Sequence, residues 1–181
     1  MTAPNRHFNG LARWLHWLMA CMILTMLFIG VGMTTSLNHR IWLIDLHRPL
    51  GIAILVLAVI RLANRWRHPP PPLPDSLPRW QQCAAIASHG LLYALMLGLP
   101  VIGWALLSAG GYPIVLFEGF NLPAIIPANP VSYAWLRDAH GVLAWLLYFV
   151  VVGHLSAALV HAWIHRDGVF SSMARGARDS D

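Results

Sequence analysis

Four long apolar stretches, separated by polar or proline-rich breaks, set the pattern of this 181-residue chain. They fall at about 11–33, 46–65, 80–107 and 133–164. A helix rises about 1.5 Å per residue and the hydrocarbon core of a bilayer is about 30 Å thick, so about 20 apolar residues cross it. Residues 139–164 are the clearest case, with no charged side chain. The second stretch is the weakest: its uncharged core, 49–60, is short, and Arg61, Arg65 and Arg67 extend it only by snorkelling. The pattern predicts an all-α membrane protein, one integral domain built as a bundle of four transmembrane helices.

The breaks have distinct characters. Residues 34–45 read as a short polar connection, and 68–78 as a stiff proline-rich linker that cannot be helical. Residues 108–132 are rich in Gly, Pro and Asn yet carry Ile114, Val115, Leu116, Phe117, Ile125 and Ile126, which predicts a loop lying on the membrane face. Pro100 predicts a kink in the third span. The polar tail, 166–181, is expected to be mobile. The first stretch has no small-x-small cleavage pattern before Thr34, so it reads as a retained helix.

Composition agrees: 57% of residues are apolar and only 10% charged, the profile of a polytopic membrane protein. Trp14, Trp42, Trp66, Trp80, Trp135 and Trp163 fall near predicted helix ends, as interfacial anchors do. All twelve basic residues are Arg, and they flank the apolar spans, so the net charge of +5 needs no nucleic-acid partner. With both termini on one side, that side collects nine: Arg6, Arg13, Arg61, Arg65, Arg67, Arg79, Arg166, Arg175 and Arg178. The other side has three, Arg40, Arg48 and Arg137. The positive-inside rule then places both termini and the proline linker in the cytoplasm. Cys21 and Cys83 lie inside spans and read as packing residues, not a disulfide.

Candidate chemistry lies in the histidines. His140, His154 and His161 are spaced fourteen and seven residues apart in the fourth span. Such steps return a helix to within about 40° and 20° of one face, with His140 and His154 about 21 Å apart in depth. Spans two and four start on the outer side, which brings His47 and His140 to one level. His16, from span one, and His89, from span three, reach the inner level of His154. Depth therefore pairs His47 with His140 and leaves His154 with two possible partners, His16 and His89.

Paired neutral imidazoles across an apolar bundle suit axial ligation of a haem iron. Gly51, Gly141, Gly153 and Gly90 stand near the candidate ligands, where a missing side chain lets a flat macrocycle approach. A lone histidine in a membrane span is often a hydrogen-bonded packing residue, but five at matching depths on four spans argue for a site. A non-redox metal transporter is the alternative, yet zinc sites recruit acids or cysteines, and Asp45 and Asp138 are the acids read as near the spans. His7, His39, His68 and His165 read as surface residues. No Cys-x-x-Cys-His occurs, so a haem here is held without thioether bonds.

The run Arg13-Trp14-Leu15-His16-Trp17, with His47-Arg48-Pro49-Leu50-Gly51, Ala139-His140-Gly141 and His154, resembles the bacterial cytochrome b561 family over nearly the whole chain. The resemblance implies two b-type haems stacked in the bundle, with His16 and His154 holding the inner one and His47 and His140 the outer one. It chooses His16 over His89, which depth alone does not. Small stand-alone members of this family include a superoxide oxidase that passes electrons to ubiquinone. Other members are electron-relay subunits that link a partner hydrogenase or dehydrogenase to quinone. On the first reading, Arg40, Arg48 and Arg137 attract the superoxide anion at the outer mouth, unless they serve only to pair haem carboxylates or Asp45 and Asp138. His161 and His89 stand in the quinone vicinity, His161 being the better candidate to donate protons.

Overall fold

Each apolar stretch forms one helix, and the computed structural model describes residues 7–73, 77–117 and 119–174. Helix α1 is Gly10–Thr35, α2 Arg40–Arg67, α3 Arg79–Ala109 and α4 Pro130–Val160. All four are long and apolar enough to cross a membrane. Arg6, Arg175 and Arg178 of the orientation count, and Asp75 of the linker, lie outside the described residues.

Local chemistry fixes the helix starts. Asn9 caps α1, its side chain accepting from the Ala12 N–H at 2.6 Å. Asn129 caps α4 by accepting from Val131 and Ser132, each at 2.9 Å, with Pro130 at the first helical position, where its missing N–H costs nothing. Helix α2 differs from the expected 46–65. It begins at Arg40 and runs through Pro49, so the whole second half of the predicted polar connection is helical. Hydropathy reports residence in lipid rather than helicity, and an Arg48–Asp45 pair one turn apart supports this polar first segment. Helix α3 likewise continues through Pro100.

Two breaks are more ordered than expected. Residues 108–132 fold a hairpin of β1, Ile114–Phe117, and β2, Phe120–Leu122, paired antiparallel with Ile114 opposite Leu122. Gly111 and Gly119 supply the positive φ angles of its turns, 71° and 83°. Ile114 is buried, and β1 packs on α2. Trp104 Nε1 donates to the Pro123 carbonyl at 2.9 Å, and Ser108 Oγ accepts from the Ile125 N–H at 3.2 Å, which ties the segment to α3. The predicted mobile tail is also partly folded. After a π turn, His161–His165, a short helix α5, Val169–Ala174, returns to α1, where Trp17 Nε1 donates to the Met173 carbonyl at 3.4 Å. Trp17 also meets Phe170 edge-on.

The core lies at mid-depth. Met19 and Ile23 of α1 meet Ile54 and Ala58 of α2, Leu95, Met96 and Leu99 of α3, and Leu147 of α4. Ile54 is seven residues after His47, and Leu147 is midway between His140 and His154. An apolar layer therefore separates two histidine levels, here called the hairpin end and the terminal end. Most other apolar side chains face outward, Phe28 being 77% exposed, as lipid-facing residues should be. Cys21 and Cys83, expected in packing, are free and exposed on this surface. The helix-end tryptophans are exposed as well. Close backbone packing joins α1 to α2, α2 to α3 and α3 to α4, whereas α4 stands off from α1 and α2.

Candidate functional site

At the hairpin end, the rings of His47 and His140 face one another across the gap between α2 and α4, with centroids 6.1 Å apart and planes at 67°. Among the described residues, no hydrogen bond closes on the buried Nδ1 of His47 or on the buried Nε of Arg48, whereas the His140 ring lies within reach of the Leu99 backbone. Such orphaned groups are costly unless something else satisfies them. Gly103 of α3 backs the His140 ring: a Cβ there would stand 3.3 Å from its Cε1.

Three imidazoles meet at the terminal end. His16 of α1 lies 6.3 Å from His154 of α4, ring centre to ring centre, and His89 of α3 lies 5.5 Å from the same ring. Arg61 of α2 joins them, its Nη2 donating to His16 Nδ1 at 2.9 Å and its Nε to the Tyr93 hydroxyl at 3.2 Å. Further along α4, His161 Nδ1 is 2.6 Å from Asp167 Oδ2.

The three arginines expected to attract anions sit apart from one another in their bonding. Arg48 is 3.9 Å from Asp45 and Arg137 is 3.7 Å from Asp138, both loose pairs, while Arg40 is exposed. Pairing with these two acids was one of the readings open from sequence. Of the surface histidines, His39 Nδ1 meets Ser36 Oγ at 3.0 Å and the His165 ring lies 5.3 Å from that of His161, tilted by 44°.

Four residues escaped the sequence reading. Arg61 follows His47 by fourteen residues, the same four-turn step that links His140 to His154, and Tyr93 follows His89 by four. Both spacings are legible in the sequence, but neither arginine nor tyrosine marks a haem ligand. Gly103 is shown only by its packing. Asp167 lay in a tail expected to be mobile, which hid an acid close to the fourth span.

A four-helix membrane bundle with facing imidazoles at two depths has the architecture of a membrane-embedded haem protein. Comparison with known proteins gives the family. The model of the prokaryotic cytochrome b561 family matches residues 7–176. Cytochrome b561 homolog 2 of Escherichia coli (strain K12) is 32% identical over 170 residues, covering 92% of this chain and 89% of the relative. Cytochrome b561 homolog 1 of the same organism is 30% identical over 179 residues, 92% and 96% of the two chains. A protein of Yersinia pestis described as probable superoxide oxidase CybB is 30% identical over 171 residues, 93% and 96% of the two chains. The chain belongs to the prokaryotic cytochrome b561 family, whose members bind b-type haem and transfer electrons in the membrane.

The residues present fit that group. His47 with His140, and His16 with His154, offer paired imidazoles at similar separations, 6.1 and 6.3 Å between ring centres, and these would hold the iron; His89 lies 5.5 Å from His154. Nothing lies within 4 Å of a Cβ built on Gly90, Gly141 or Gly153, so these backbones stay open to a planar neighbour.

Proposed function

We propose that this chain is a single membrane domain carrying two b-type haems, one held by His47 and His140 and the other by His16 and His154. The observation that carries the proposal is the repetition of one imidazole spacing at both ends of the bundle, 6.1 and 6.3 Å. Bound haem supplies one-electron exchange between ferric and ferrous iron. The Arg distribution supports termini and proline linker in the cytoplasm and the hairpin outside, in a bacterial inner membrane.

The reaction we assign is oxidation of superoxide at the hairpin end coupled to reduction of ubiquinone. Two superoxide anions each release one electron to become oxygen, and one quinone takes those two electrons with two protons to become quinol. Arg40, Arg48 and Arg137 raise the local concentration of the anion at the hairpin end. At the terminal end, His161 holds a proton for the quinone, with Asp167 at 2.6 Å fixing the ring, and His89 stands nearby at the level of His154. The 30% identity to a protein described as a probable superoxide oxidase supports this choice.

Haem counted per chain in purified His140→Ala, His154→Ala and His68→Ala, together with quinone reduction driven by enzymatically generated superoxide, tests the proposal. We expect one haem in each of the first two variants and two in the third. Full haem content in both ligand variants would refute the assignment. Haem reduction by a partner dehydrogenase or hydrogenase without any response to superoxide would replace the oxidase by a relay. A colourless protein with bound zinc would make it a metal transporter.

A further inference from the structure

Arg61 stands among the imidazoles of the terminal end, and no acid of the described residues is paired with it. It donates to His16 Nδ1 and to the Tyr93 hydroxyl, and its charge is close enough to act on His16, His89 and His154. One turn on, the Arg65 guanidinium lies over the Tyr93 ring, 5.9 Å from its centre. Three acids of the described residues are engaged elsewhere: Asp45 with Arg48, Asp138 with Arg137, and Asp167 with His161. Two half-buried guanidinium groups facing neutral partners in an apolar bundle are costly. A dianion is the counterpart this cluster lacks.

The contact on His16 carries the argument further. Arginine only donates, so His16 Nδ1 turns a lone pair toward it. A histidine that ligates a metal through Nε2 carries its proton on Nδ1 and donates it. Ligation through Nδ1 would use the same lone pair. Either way, the Arg61 contact and iron ligation by His16 exclude one another. Haem b itself brings two carboxylates, and arginine is the side chain best shaped to take them. Arg61, Asn64, Arg65 and Tyr93 also line one narrow crevice with Phe8 and Met173, so the polar groups face a common space.

We infer that Arg61 and Arg65 form the seat for the carboxylates of the haem at the His16–His154 level, Arg61 exchanging His16 for a carboxylate as iron is ligated. This rests on the ligand assignment above. A seat of this kind gives the haem a fixed orientation, and it places cationic charge beside one of the two haems.

The test uses the full chain in the His140→Ala background, where only this haem remains. Substituting Arg61→Gln and Arg65→Gln together should speed haem loss to apomyoglobin by about tenfold or more, the scale of a charge-assisted pair, and Arg61→Lys should recover much of it. Reconstitution with haem dimethyl ester, which has the same iron and ring but no carboxylate charge, separates contact from structure. Without the Arg substitutions, the chain should hold the ester more weakly than haem; with both Gln substitutions, it should hold the two alike. Equal retention of haem and ester without those substitutions, or equal weakening of both by them, would overturn the inference. Two haems remaining in His140→Ala would instead overturn the ligand assignment.

Discussion

Asp167 closes on His161 across the π turn, its Oδ2 2.6 Å from Nδ1, with the two side chains only 13% and 17% exposed. The other carboxylate oxygen accepts from the Val169 N–H at 3.1 Å, so the same residue starts α5 and orients the imidazole. A carboxylate on Nδ1 fixes the tautomer and the orientation of the ring. Asp167→Asn keeps the shape and the cap while removing the charge. We expect quinone reduction to fall about tenfold, within the range of a weakened general acid. Haem content and haem reduction by superoxide should be unchanged; a parallel loss of haem would mean that the pair is structural.

Gly103 gives a steric test of the hairpin-end pair. A Cβ at this position would lie 3.3 Å from His140 Cε1, so alanine is tight and leucine must displace the ring. Gly103→Leu should therefore lose one haem per chain, read from the absorbance of the reduced protein. Gly98→Ala, in the same helix with nothing within 4 Å, should keep both and raise helix stability by up to about 1 kcal/mol. Two haems in Gly103→Leu would show that His140 does not need this packing.

Arg40 separates attraction from pairing. It is exposed, whereas Arg48 and Arg137 have Asp45 and Asp138 nearby. Arg40→Gln should slow reduction by superoxide about two- to threefold at low ionic strength. The difference should vanish near 1 M salt, where the screening length is about 3 Å. A salt-independent loss would point to a contact at the site instead.

Ala58 reports on the apolar layer between the two levels. It is fully buried, at 0% exposure, against the mid-depth core. Ala58→Leu should destabilise the bundle by about 1–3 kcal/mol through overpacking, seen as a lower thermal midpoint in detergent. Val59→Leu, next along α2 but 54% exposed, should leave that midpoint in place.

Hydropathy alone gave four helices, because a bilayer demands long apolar helices whatever their partners. Spacing alone placed His47 with His140 and brought His16, His89 and His154 to one level, because helical rise converts sequence distance into depth. The reach of α2 back to Arg40 was hidden, since a helix that emerges from lipid turns polar without ceasing to be helical. The hairpin was hidden as well, since its hold on α3 runs through Trp104, Ser108 and Ile125, contacts with no periodic mark.

The sequence by itself determined how many times the chain crosses and at what depth each imidazole sits. Only the tertiary structure decided which rings face which, that His16 stands at 6.3 Å and His89 at 5.5 Å from His154, and that Arg61 and Asp167 close on histidines. Depth is set by one helix at a time, whereas rotation and lateral distance are set by how helices pack on each other. Those packing contacts join residues far apart in the chain, from His16 to Arg61 and His154, and no single stretch encodes them.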